Sequence, residues 1–139
     1  MDRAEARISN RIEDLPIVVE LLDRFGEDND IPVATIDDLN VALDEALSNV
    51  IAYAYPADEQ GEIVVRLALL PGQVVVEVED TGAPLDPLAA PPPDLTTPLE
   101  ERQLGGVGIH FIKTLMDEVS YARIDDKNVL KLTKRLPAA

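Results

Sequence analysis

Apolar residues recur along this chain with two different periods, which divide it into helices and strands. Across residues 14–29, Leu15, Val18, Leu22 and Phe25 repeat at helical spacing, and Val19 and Leu21 widen the stripe. Pro16 suits that helix only in its first turn, where a missing N–H costs little. After the Ile31-Pro32 connection a second helix runs to about Ala54. Its inward face is predicted to be Ile36, Leu39, Leu43, Ala46, Leu47, Val50, Ile51 and Ala54. Thr35 is placed to cap it, with Asp37 and Asp38 in the first turn, where the helix dipole favours negative charge. Pro56 follows its end.

Residues 62–70 and 73–79 are rich in Val, Ile and Leu and read as strands joined at Pro71-Gly72, with Val74, Val76 and Val78 on one face. Residues 4–9 read as a short edge strand, residues 107–116 as a short helix, and residues 119–124 and 128–135 as a terminal hairpin around Asp125, Asp126 and Lys127. From residue 81 to 103 no period holds, and prolines stand at 84, 87, 91, 92, 93 and 98. A loop of this length inside a compact domain is usually functional or disordered. Its place between two glycine-bearing segments marks residues 81–104 as a lid, a plain mobile loop being the other reading. The order of elements predicts a two-layer α/β sandwich, with helices on one face of a mixed, mainly antiparallel sheet.

Composition narrows the function. The 139 residues fit one domain, 1–139, and 46% are apolar, as in soluble globular proteins. No apolar run is long enough to span a bilayer, and residues 1–7 lack the apolar stretch of a signal peptide. Without cysteine there is neither a disulfide framework nor a thiolate metal site, and the expectation is a cytoplasmic protein. The net charge of −15 disfavours nucleic acid and anionic membranes as partners. It serves solubility, or attraction of a basic partner.

Three short segments carry candidate chemistry. Glu45 and Asn49 in D-E-A-L-S-N lie one helical turn apart and project the same way, at the edge of the apolar stripe. An asparagine oxygen suits Mg²⁺, and a carboxylate can take a proton from a hydroxyl attacking a phosphoryl group. Asp80 ends a Val-rich strand in D-T-G-A-P, where it can accept a hydrogen bond from an exocyclic amine, and Gly82 allows close approach to the backbone. Gly105, Gly106 and Gly108 enter a helix whose first N–H groups suit phosphate. Arg102 and Lys113 flank that motif, and either can neutralise a terminal phosphate; His110, the sole histidine, fits a packing or surface role. Taken singly, these segments also fit an ordinary helix face, a strand-ending turn and a hinge.

In combination they resemble the GHKL superfamily, the Bergerat-type ATP-binding fold shared by gyrase, sensor histidine kinases and MutL. Residues 45–49 look like its N box, residues 80–84 like its D-x-G box, and residues 105–109 like its second glycine box. The stretch G-G-V-G-I-H-F-I-K-T-L-M-D-E-V is similar to the stand-alone RsbW-type anti-sigma factor serine/protein kinases. The resemblance implies ATP and Mg²⁺ as cofactors, with Glu45 as base, Asn49 on Mg²⁺ and Asp80 on adenine. It places Gly82, Pro84, Arg102, Gly105, Gly106, Val107 and Gly108 along the nucleotide. Pro84 replaces a glycine common in the superfamily, and Tyr53 stands where some relatives carry histidine. The implied partners are a STAS-domain anti-anti-sigma factor, phosphorylated on serine, a sigma factor and a second copy of the chain. A non-catalytic ATP-binding module that clamps a protein partner is the alternative.

Overall fold

Two-residue turns organise the sheet. The computed structural model describes residues 2–56, 59–86 and 112–137. Strands β1 (Arg3–Ser9), β2 (Glu62–Leu70), β3 (Gln73–Asp80), β4 (Glu118–Ile124) and β5 (Lys127–Arg135) form one sheet in the order β1-β2-β3-β5-β4. All four pairings are antiparallel, so the expected mixed sheet is wholly antiparallel among the described residues. For two of the four the reason lies in the connections: β2 and β3 turn at Pro71-Gly72, with Gly72 at φ 73°, and β4 and β5 turn at Asp125-Asp126, both with positive φ. Tight hairpins force antiparallel neighbours, and two successive positive φ values match the twist of the flanking strands. Lys127, expected in the turn, is the first residue of β5.

One face of the sheet is covered by helices. Ile63, Val65 and Leu67 of β2, Val74, Val76 and Val78 of β3, and Leu130 and Leu132 of β5 are buried there in alternation. The same period aligns polar residues at one end, because the β3–β5 register pairs Val76 with Leu132, Val78 with Leu130 and Asp80 with Asn128.

Helix α1 (Leu15–Asp28) follows a single 3₁₀ turn, Ile12–Asp14, and Pro16 does lie in its first turn. The Asp14 carboxylate accepts hydrogen bonds from Ser9 N at 3.0 Å and Ser9 Oγ at 2.8 Å, joining the end of β1 to the helix start. Val18, Leu22 and Phe25 are buried; Leu15 and Leu21 are partly buried. Val19 is 43% exposed, so the buried stripe is narrower than the spacing predicts.

Helix α2 (Val33–Asn49) starts earlier than expected. Pro32 occupies the cap position, and Thr35 lies buried inside the first turn instead of capping it. Ile36 N donates to Pro32 O at 3.1 Å, so the helix is already under way before Thr35. Ile36, Leu39, Leu43, Ala46, Leu47, Val50 and Ala54 are buried as predicted, Ile51 is partly buried, and Ala42 joins them. At the α1–α2 contact a Cβ on Gly26 would lie 2.6 Å from Ile36 Cγ1, closer than any side chain tolerates. Past Asn49 the helix widens into a π-helical turn, Val50–Ala54. Residues 112–115 are helical, with Ile112 and Met116 buried in the same core. No helix among the described residues is long and apolar enough to cross a membrane.

Candidate functional site

Glu45 and Asn49 share one face of α2, as their spacing requires, but differ in depth. Glu45 is half-buried at the rim, whereas Asn49 is only 7% exposed. Sequence reasoning put both at the rim; Asn49 instead lies in the core, with Ala46 and Val50 also buried. Its Nδ2 has no hydrogen-bond partner, the sole such buried side-chain atom among the described residues. A buried donor without a partner costs roughly 1–3 kcal/mol. The amide oxygen and nitrogen exchange places by a half-turn of the side chain, so the position can present either a donor to a phosphate oxygen or an oxygen to a hard cation. Burial, with a smaller push from neighbouring Asp44, raises the Glu45 carboxyl above its ordinary value, making it a stronger proton acceptor when ionised.

Asp80 closes β3 almost fully buried, at 2% exposure. Its Oδ1 accepts two hydrogen bonds, from Gly82 N and from Asn128 Nδ2, each at 2.9 Å. Burial pushes its pKa up; the bonds from Asn128 and Gly82 and the charge of Arg123 pull it down, and Glu79 adds to the upward push. Oδ2 accepts no hydrogen bond among the described residues, which leaves it available to an outside donor.

The loop after Asp80 is held on two sides. The end of the π turn grips it from one: Ala83 N donates to Ala54 O at 2.8 Å, and Thr81 N donates to Tyr55 Oη at 2.9 Å. The β4–β5 hairpin grips it from the other: Arg123 donates to Gly82 O at 2.8 Å, Asn128 Nδ2 to Ala83 O at 2.8 Å, and Leu85 N to Asn128 Oδ1 at 3.1 Å. The D-x-G loop is thus seated one turn beyond Asn49, and this contact brings two of the three predicted segments together. The requirement for glycine at 82 comes from the same contact. A Cβ there would lie 2.5 Å from Ala54 O, so the close approach is to the protein's own backbone.

Pro84 is exposed on this loop. Arg102, Gly105, Gly106, Val107, Gly108 and His110 lie outside the described residues, as does most of the expected lid, residues 87–104. Lys113 is exposed on the helical segment that follows. Sequence reasoning missed Asn128, Arg123 and Tyr55. Asn128 did carry a signal, being a polar residue in phase with Leu130 and Leu132 on the inward face of β5.

An N-terminal strand and two helices over an antiparallel sheet, with an acidic strand end seated on a helix bearing a buried amide, is a recognisable assembly. The histidine kinase-like ATPase domain family matches residues 8–134 of the chain. The chain belongs to this family. The serine-protein kinase RsbW of Bacillus licheniformis is 34% identical over 107 residues, covering 73% of this chain and 65% of that kinase. The serine/threonine-protein kinase BtrW of Bordetella bronchiseptica is 34% identical over 95 residues, covering 68% of this chain and 67% of that kinase. The chain therefore spans about two-thirds of the length of these curated relatives. A crystal structure of the RsbU and RsbW domains of a Mycobacterium tuberculosis protein superposes with a TM-score of 0.72 at 20% identity, over 100% of this chain and 34% of that one. The fold is therefore the two-layer α/β fold that the order of elements predicts.

The seat of the D-x-G loop is tested by Gly82→Ala. Because the obstructing atom is a backbone carbonyl that cannot swing aside, denaturant unfolding should show a loss of about 1–3 kcal/mol. Wild-type stability would mean that the loop is not held against Ala54.

Proposed function

We propose that this protein is a Mg-ATP-dependent protein-serine kinase of a partner-switching system, acting on a serine of a STAS-domain anti-anti-sigma partner. The observation that carries the reading is the buried, unpartnered amide of Asn49, one turn from the raised carboxyl of Glu45. A core position that holds an unsatisfied polar atom is destabilised without its ligand, and the family supplies a nucleotide as that ligand. The similarity to RsbW and BtrW supports protein serine as the acceptor. A sigma factor as a second partner and a homodimeric assembly are what the sequence resemblance implies, and both belong to this proposal.

The donor set fits magnesium. No group of three or more acidic or histidine side chains that could hold a metal occurs among the described residues. Mg²⁺ bound with nucleotide needs only one or two protein oxygens, the rest coming from phosphates and water. Asn49 would supply that oxygen. The metal, when bound, neutralises charge on the phosphates.

This chain's residues then have separate tasks. Asp80 Oδ2 accepts the adenine amine. The ionised Glu45 takes the proton of the serine hydroxyl as its oxygen bonds to the γ-phosphorus; the bond from that phosphorus to the β,γ-bridging oxygen breaks, and ADP leaves with the electron pair. A carboxyl whose pKa burial has raised above its ordinary value is, once ionised, a better base than an unperturbed one. Gly105, Gly106, Val107 and Gly108 line the phosphates, Arg102 or Lys113 meets the terminal one, and Gly82 and Pro84 border the base. Residues 81–104 act as the lid.

The test is transfer of labelled phosphate from Mg-ATP to purified STAS-domain proteins of the host. Wild type should label one partner on serine, and Glu45→Gln should lower the rate by about 10²- to 10⁴-fold with ATP affinity little changed. Wild type that binds ATP and labels no partner would replace the kinase with an ATP-dependent clamp. The same variant has a pH signature. The folded protein holds the Glu45 proton to higher pH than the unfolded chain, so wild-type stability falls as pH rises from 4.5 through the raised folded value. Above that window Glu45→Gln should be the more stable protein, and below it the two should melt together. A variant less stable at neutral pH would contradict the raised carboxyl.

A further inference from the structure

Asn128 makes four hydrogen bonds from one buried side chain and belongs to no motif. Its Nδ2 donates to Asp80 Oδ1 at 2.9 Å and to Ala83 O at 2.8 Å. Its Oδ1 accepts from Leu85 N at 3.1 Å and from the Tyr121 hydroxyl. Turning the amide over would set its oxygen against the Asp80 carboxylate and the Ala83 carbonyl, and its NH₂ against the Leu85 N–H. The surroundings therefore fix its orientation. With every hydrogen-bonding atom committed to the protein, Asn128 has nothing left to offer a ligand, yet it lies 3% exposed beside the carboxylate that has.

We propose that Asn128 is a specificity-determining positioning residue, which occupies Asp80 Oδ1 so that Oδ2 alone faces the nucleobase and selects a 6-amino purine. The proposal rests on reading Asp80 as the base contact, and goes beyond it by naming what makes that contact discriminating. A carboxylate free to rotate can offer either oxygen at a range of angles and adapt to different bases. One oxygen held by both Gly82 N and Asn128 Nδ2 defines the plane of the group and the direction of the other. That remaining oxygen is acceptor-only while the carboxyl is ionised. A 6-amino group donates to it, a 6-oxo group meets it acceptor to acceptor, and a hydrogen at the same ring position leaves it without a polar partner. The β3–β5 register makes this arrangement, since Asn128 is the residue directly opposite Asp80. Arg123 supports the loop from β4 by donating to Gly82 O at 2.8 Å.

The experiment is calorimetric measurement of two dissociation constants, for Mg-ATP and for the Mg complex of purine riboside triphosphate, which has hydrogen in place of the amino group. Wild type should prefer ATP by about 10- to 100-fold, the value of one hydrogen bond to a charged group. In Asn128→Ala the preference should fall to about threefold or less, because ATP loses more affinity than the analogue does. Asn128→Ser, whose hydroxyl is too short to span Asp80 and Ala83 together, should give the same collapse and stands in if the alanine variant does not fold. Equal weakening of both nucleotides, with the preference kept, would make Asn128 a structural staple only and overturn the proposal. Wild type that binds both nucleotides equally would overturn the reading of Asp80 itself, a different failure with a different signature.

Discussion

A buried polar group must find a partner, and the end of this protein that holds Asp80, Asn128 and Asn49 is organised by where that requirement is met and where it is not. Asp80, Asn128 and Asn49 are all nearly inaccessible. Asp80 and Asn128 satisfy one another and fasten the D-x-G loop in doing so. Asn49 is left with an amide nitrogen, Nδ2, that nothing in the described protein accepts from. A buried unpaired amide calls for a partner, and under the proposed function the nucleotide supplies it.

The rest of the architecture serves to place these three groups. The β3–β5 pairing sets the register in which Asn128 faces Asp80, and period two then aligns that polar pair with the valine and leucine pairs behind it. The π turn after Asn49 carries α2 far enough for Ala54 and Tyr55 to reach the loop. A π turn is rare and frequently occurs at functional sites. Here it connects the helix bearing Glu45 and Asn49 to the strand end bearing Asp80.

Much of this was legible from residue order, for physical reasons that also explain what was not. The inward face of α2 could be read because burial of a helix against a sheet demands apolar residues at 3.6-residue spacing. The strands could be read because Val and Ile alternate in them. The start of α2 was misplaced because Thr35 fits the chemistry of a cap, whereas Pro32 had already begun the turn and Thr35 pointed inward. Val19 fits the apolar stripe by spacing, yet it is 43% exposed, at the edge of the buried face of α1. The role of Gly82 was read as room for a ligand, because the carbonyl that excludes a Cβ comes from residue 54, through a contact that residue order does not display. Asn128 was missed for the same reason, since its value depends on a partner in another strand. Glu45, Asn49 and Asp80 were singled out by motif order and spacing, and the depth of Asn49 came only from the fold.

The central claim is that Asn49 is a buried position completed by Mg-ATP, and Asn49→Ala tests it most directly when folding and binding are measured on the same sample. Removing a donor that has no partner should leave the free protein within about 1 kcal/mol of wild-type stability, while Mg-ATP affinity falls by about tenfold or more. A variant that loses several kcal/mol of stability and binds Mg-ATP as wild type does would show that Asn49 holds the fold together and not the nucleotide.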